Sequence, residues 1–217
     1  MSTSVERILD TRGEPEIHGY LHRHESPNGD ALVLAHSAGS NAQSPLLVAV
    51  AGALADAGFS VLRIDLPFRQ ARPHGPPFPA ATAKDRQGIS RAAEFLRRSV
   101  RGRVFLGGHS YGGRQATMLA TEEPELASGL VLLSYPLHPP RKPEQKRDAH
   151  FPKLQTPSLF VHGSRDPFGS PEEMEQALML IPARTELVIR QGAGHDLKGA
   201  EVEKLVAEKF VEFFGGV

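Results

Sequence analysis

A serine set among glycines, an aspartate and a histidine follow one another along the chain in an order that suits acyl transfer. Ser110 is the centre of Gly107-Gly108-His109-Ser110-Tyr111-Gly112-Gly113, a G-x-S-x-G motif. A serine hydroxyl is a weak nucleophile and needs a base to take its proton, and that base needs an acid to hold its tautomer. Asp166, closing His162-Gly163-Ser164-Arg165-Asp166, and His195, closing Gly192-Ala193-Gly194-His195, supply both, in the chain order Ser, acid, His. The expected roles are attack by Ser110, proton transfer by His195 and orientation of His195 by Asp166. Developing negative charge on the attacked oxygen needs two backbone N–H donors. The residue after the nucleophile, Tyr111, is one. The other is expected from His36-Ser37-Ala38-Gly39, with Ala38 favoured and Ser37 second. The competing reading of each piece is bland: a glycine-rich turn carrying an incidental serine, and a small-residue loop that only leads into the next helix.

Such groups work only if the chain delivers them to one place. Residues 104–106 read as a strand and 111–122 as a helix, so Ser110 falls on the turn between them. Gly108 and Gly112 there remove side chains that would collide as strand and helix pass. Asp166 follows a strand over 157–161 and His195 follows one over 186–189, which sends both from the carboxyl edge of a sheet. Upstream, 16–24 reads as an early strand and 31–35 (ALVLA) as one buried on both faces. Residues 44–57 read as a helix with Ser44 as N-cap and Pro45 at its first position, and 59–64 as a strand. Pro67, Pro73, Pro76, Pro77 and Pro79 mark 67–79 as a loop wall or partial lid. Residues 85–100 place Ile89, Ala92, Ala93, Leu96 and Val100 at helical spacing. A strand at 129–133, helices at 171–180 and 200–214, and a proline- and charge-rich stretch at 135–156 complete the chain. Strands alternating with helices imply an α/β fold: a mostly parallel central sheet with helices on both faces, in one domain over 1–217.

Composition narrows the function classes. The chain has 217 residues, 40% hydrophobic and 23% charged, with 25 basic and 25 acidic residues. A net charge of zero provides no electrostatic footprint for nucleic acid or an anionic membrane. Without cysteine there is no disulfide framework, thiolate metal site or cysteine nucleophile. No apolar run reaches the roughly 18 residues that a membrane span needs. Residues 1–10 carry charges and no apolar stretch of the secretory kind. The expectation is a cytoplasmic protein with a small-molecule acyl substrate, no cofactor, no metal, no nucleic-acid partner and no membrane partner. Its oligomeric state is not legible.

Other chemically capable residues have plainer readings. His18, His22, His24 and Tyr20 share a strand face, which we read as a solvated outer face rather than a metal site. Asp65 precedes Ser110, against the expected order, and reads as a local hydrogen-bond acceptor. His109 is next to Ser110 and points away from it at a sharp turn. Asp196 is too close in sequence to His195 to bridge to its ring. Arg114, one helical turn after Ser110, reads as an ion-pair anchor for its helix, with contact to an acidic substrate as the second reading. Arg141, Lys142, Lys146 and Arg147 read as a solvated loop.

With Gly108-His109-Ser110-Tyr111-Gly112-Gly113-Arg114, Tyr135-Pro136-Leu137-His138-Pro139-Pro140 and the run from Phe160 to Gly169, the chain resembles the α/β-hydrolase superfamily over about 31–214. Within it, the sequence is most similar to a small α/β-hydrolase-like domain family that includes a testis-expressed protein and a subunit of a nuclear histone acetyltransferase complex, and to dienelactone-hydrolase-like proteins. The resemblance implies a serine-hydrolase fold without a large cap. Ser37 stands where the common His-Gly loop of such proteins has glycine. Two functions are therefore expected. The first is a serine hydrolase of small esters, thioesters or related acyl compounds, working through an acyl-enzyme. The alternative is a non-catalytic protein-interaction module that retains the fold. The segment between 133 and 157 is too short, proline-rich and charged to build an apolar cap, and 67–79 has only Phe68 and Phe78 as large apolar residues. The expected site is therefore shallow and suited to short acyl groups.

Overall fold

The computed structural model describes residues 3–215, so the extreme ends of the 1–10 and 1–217 readings lie outside the described residues. Its frame is an eight-stranded sheet in the order β1-β2-β4-β3-β5-β6-β7-β8. The strands are β1 (Thr3–Asp10), β2 (Ile17–His24), β3 (Ala31–Ala35), β4 (Ser60–Asp65), β5 (Val104–His109), β6 (Leu130–Leu133), β7 (Ser158–Gly163) and β8 (Thr185–Arg190). β1 and β2 run antiparallel to their neighbours and the six from β3 to β8 are parallel. The long helices are α1 (Pro45–Asp56), α3 (Thr82–Arg97), α4 (Tyr111–Glu122), α5 (Pro171–Leu178) and α6 (Val202–Phe214), with a short α2 (Pro67–Ala71) at the sheet's carboxyl edge. This is the α/β-hydrolase fold, and no separate cap domain stands over the sheet among the described residues.

The strand sequences dictate the layers. Alternate residues of a strand face opposite sides. Leu32 and Leu34 of β3, Phe105 of β5, Val131 and Leu133 of β6, and Leu159 and Val161 of β7 meet Leu47, Val50 and Leu54 of α1 and Val206 and Phe210 of α6. The intervening residues Val33, Leu106, Leu130, Leu132 and Phe160 meet Ile89 and Leu96 of α3, Leu119 of α4 and Met174 of α5. Two apolar layers thus clamp the sheet, and the parallel strands are apolar on both faces because both faces are covered. α5 opens with a capping box, in which Ser170 and Glu173 each accept the other's backbone N–H.

Some elements differ from the sequence expectation for local reasons. β1 is an extra edge strand, paired with β2 from Thr3↔His24 to Asp10↔Ile17. Most of its side chains are exposed, so it has no apolar alternation to read, and its charged residues suit an edge that must not pair further. β2 therefore lies inside the sheet rather than at its margin. His22 is buried and accepts a hydrogen bond from Arg63 Nε at 2.9 Å, while His18 pairs with Glu16 and His24 with the Ser26 backbone. The solvated histidine face is corrected accordingly. Ser44 occupies the N-cap position of α1 but makes no side-chain cap. Within 67–79 the first residues form α2, because Asp85 Oδ1 accepts the Phe68 N–H at 3.0 Å and holds a turn that Pro67 opens.

Candidate active site

β5 ends by passing directly into α4, and Ser110 takes the sharp turn between them at φ 52° and ψ −113°. A non-glycine residue there is strained by roughly 1–3 kcal/mol and persists only if its surroundings hold it. They do: the Ser110 N–H donates to Leu133 O at 2.8 Å, and the Ser110 carbonyl accepts from Arg114 N at 2.9 Å. A Cβ on either Gly108 or Gly112 would collide with the Ala35 carbonyl of β3, so both positions demand glycine.

Three strand ends bring Ser110, His195 and Asp166 together. The Ser110 hydroxyl donates to His195 Nε2 at 2.8 Å, and His195 Nδ1–H donates to Asp166 Oδ2 at 2.8 Å and Oδ1 at 3.0 Å. The Asp166 side chain is fully buried and also accepts the Phe168 N–H at 2.9 Å, which fixes its rotation. The Phe168 ring stacks on the His195 imidazole at 4.1 Å between centroids. From the other side His109 Nε2–H donates to the His195 carbonyl at 2.8 Å. Burial holds the His109 pKa below its usual value, which keeps that ring neutral. His109 thus grips the His195 backbone rather than facing the Ser110 hydroxyl. His162 Nε2–H donates to Gly169 O at 2.8 Å and steadies the loop that carries Asp166 and Phe168. Asp196 turns away to Lys198 at 2.9 Å.

Ala38 and Tyr111, the two expected N–H donors, both line the cavity above Ser110. The direction of each follows from the carbonyl on the other end of its peptide, because the two point oppositely across a planar trans bond. The Ser37 carbonyl, partner of the Ala38 N–H, accepts from His36 Nδ1 at 2.8 Å and Ser40 N at 3.1 Å. His36 Nε2 accepts from Leu66 N at 3.0 Å, and burial lowers the His36 pKa to about 4, so one neutral tautomer satisfies both contacts. The Ala38 carbonyl is itself held by Arg69 Nη2 at 2.9 Å. Arg69 also donates to Ser40 O, Arg72 O and Gly75 O, tying the 36–44 loop to the segment after α2. The Tyr111 ring is anchored by its hydroxyl, which donates to Asp85 Oδ2 at 2.6 Å. Burial raises the pKa of Asp85. Asp65 accepts the Ala42 N–H at 2.7 Å at the far end of the same loop.

Sequence reasoning missed Arg69, Asp85, His36, His109 and Phe168 as supports. Only Phe168 had a signal, two residues after Asp166 in the run Asp166-Pro167-Phe168. The others act on carbonyls or N–H groups, and in the case of Asp85 also on the Tyr111 hydroxyl, that no sequence motif records.

The cavity has a volume of about 690 Å³, and its wall draws on more than the 67–79 segment. Phe68 is buried against His36 and Tyr111 and forms no part of its wall. Met118 of α4, Pro136 after β6 and Phe168 after β7 join Phe78 to build it. Two arginines also open into it. Arg114 makes no ion pair among the described residues, which corrects the anchor reading, and its buried Nε has no hydrogen-bond partner. Arg147 is half-buried and lines the cavity, unlike the exposed Arg141, Lys142 and Lys146. Among the described residues no group of three His, Cys, Asp or Glu is placed to hold a metal ion. No helix among them is long and apolar enough to cross a membrane.

Comparison with known proteins agrees with this architecture. Residues 28–212 match the alpha/beta hydrolase domain family. The chain is similar to a dienelactone hydrolase from Anabaena variabilis at 25% identity, with a TM-score of 0.79 and coverage of 99% of this chain and 98% of that one. A serine hydrolase homologue from Coxiella burnetii superposes at a TM-score of 0.74 and 16% identity, over 94% of this chain and 96% of the other. A serine hydrolase without a lid from Xanthomonas campestris does so at 0.76 and 14%, over 100% and 97%. The last two carry the fold alone.

Proposed function

The chain belongs to the alpha/beta hydrolase domain family, and within it we propose a serine hydrolase that cleaves small esters, thioesters or related acyl compounds. Ser110 attacks the acyl carbonyl as His195 Nε2 takes its proton. Asp166 keeps His195 in the Nδ1–H tautomer and balances the imidazolium that forms. The N–H groups of Ala38 and Tyr111 receive the oxyanion, each lowering the barrier by roughly 3 kcal/mol. Collapse expels the alcohol or thiol, which takes the proton back from His195. Water, activated by the same imidazole, then releases the acid and frees Ser110. No metal or cofactor is needed in any of these steps.

The observation that carries the reading is the unbroken hydrogen-bonded line from the Ser110 hydroxyl through His195 to buried Asp166. It opens on a cavity lined by Ala38 and Tyr111, and the carbonyls of Ser37 and Ala38 are held by hydrogen bonds from His36 and Arg69. A protein-interaction module gains nothing from a strained serine held in this line. The test is hydrolysis of p-nitrophenyl acetate and butyrate by the parent and by Ser110→Ala, which removes the nucleophile and leaves the turn. The expected result is turnover by the parent and loss of it in the variant, with an unchanged circular dichroism spectrum. Near-parental turnover by Ser110→Ala would overturn the assignment.

A further inference from the structure

Among the lining residues of the cavity, Arg114 and Arg147 carry guanidinium groups and none is an aspartate or glutamate. Half-buried charges in proteins are ordinarily paired, because the loss of hydration is otherwise uncompensated. These two are not. Arg114 donates no side-chain hydrogen bond among the described residues, and its Nε is sealed from solvent without a partner. Arg147 makes one long side-chain bond, to Pro136 O at 3.3 Å. The two cations also disfavour each other: burial and then the neighbouring Arg114 charge lower the pKa of Arg147.

The pair is held in this arrangement by construction. Arg114 is on the first turn of α4, four residues and so about 6 Å along the axis from Ser110. The Arg147 backbone is fixed from both sides, its N–H donating to Leu137 O at 2.7 Å and its carbonyl accepting from the Tyr135 hydroxyl at 2.7 Å. Tyr135 is itself fully buried against Phe151 and Phe160. The chain thus uses core packing to hold an arginine over the cavity, beside a second arginine, with no acid among the cavity's lining residues to neutralise either.

We propose that the substrate carries a carboxylate that docks between Arg114 and Arg147 while its ester or thioester lies over Ser110. This rests on the hydrolase reading and narrows it to acyl substrates with an anionic end. Each guanidinium offers a planar fork that matches a carboxylate's two oxygens. The apolar wall of Met118, Pro136 and Phe168 suits the short hydrocarbon linker between the two ends.

Binding to the Ser110→Ala protein tests this without requiring turnover. Calorimetry compares monoethyl glutarate with its primary amide, which has the same shape and no charge. A second pair, 4-acetoxybutyrate and its amide, puts the carboxylate on the alcohol side. The expected result is binding of the acid at least about tenfold tighter than the amide in one pair, equivalent to about 1.4 kcal/mol. That ratio should fall towards one when Arg114→Gln or Arg147→Gln is added, and Arg114→Lys should retain part of it. Equal or undetectable binding of acid and amide in both pairs overturns the proposal, as does a preference that survives both glutamine substitutions. A preserved preference in a parent protein that turns over neither ester nor p-nitrophenyl acetate would instead count against the hydrolase reading and leave the carboxylate site standing.

Discussion

The cavity has two contrasting sides. On one, around Ser110, the three side chains form a hydrogen-bonded line and many of their partners have supports of their own. Asp166 accepts from His195 and from Phe168 N, Arg69 donates to four carbonyls, and His36 serves a carbonyl and an N–H at once. On the other, among the described residues, the Arg114 side chain has no partner and that of Arg147 a single long one. The first side is complete before any ligand arrives, as preorganised electrostatics requires. The second is an arrangement that only a ligand completes. A substrate would thus be placed by the arginines and transformed by groups that do not need to move.

The contrast is sharpest where the complete side is broken at its centre. Asp166→Asn preserves shape but reverses the donor facing His195 Nδ1, and so favours the wrong tautomer. By the general example of such triads the expected loss in kcat is about 10⁴-fold. Activity within a few-fold of the parent would show that another acid orients His195.

Two arginine truncations compare the sides directly. Arg69→Met strips the donor from four carbonyls and frees the 36–44 loop, and should cost about 2–4 kcal/mol of stability. Surviving folded enzyme should lose kcat more than it gains KM, because the Ala38 N–H is no longer aimed. Arg114→Met removes an unpartnered charge and should leave stability within about 0.5 kcal/mol of the parent. Urea denaturation reads both, and equal losses in the two variants would erase the distinction between the sides.

Acid should loosen the complete side by a smaller step. His36, on this side, is held near pKa 4 by burial, as are His22 in β2 and His150, which bonds Thr117 of α4, elsewhere in the fold. The unfolded chain takes these protons near pH 6.5, so between pH 6.5 and about 4 it binds more protons than the folded one. Stability therefore falls as pH drops through that window, by about 1 kcal/mol for His36 alone between pH 7.5 and 5.5. A urea midpoint that stays level over this range would show that these rings are not held neutral.

The same two sides differ in how far they could be read from sequence. Ser110, Asp166 and His195 stand beside glycines at strand ends, where backbone need and chemistry leave a joint mark. Ala38 and Tyr111 follow from their places relative to that mark. Arg147 left none, since within Arg141-Lys142-Pro143-Glu144-Gln145-Lys146-Arg147 it looks like one charge in a solvated run. What sets it apart is the Tyr135 hydroxyl, twelve residues away, which only the fold brings to its carbonyl. Arg69 and Asp85 were hidden for a related reason: they act across the fold on backbone atoms, and a carbonyl has no residue type. The apolar strands and α3 were legible because both sheet faces are covered, whereas β1, mostly exposed, resembles a polar tail.

Labelling with a fluorophosphonate tests the central claim most directly, because the probe reacts with a serine only when base and oxyanion donors are already in place. The account predicts a single adduct per chain, mapped to Ser110 by peptide mass, abolished in Ser110→Ala and strongly slowed in His195→Ala. A folded parent protein that takes up no probe, or takes it up equally in the Ser110→Ala variant, would contradict it.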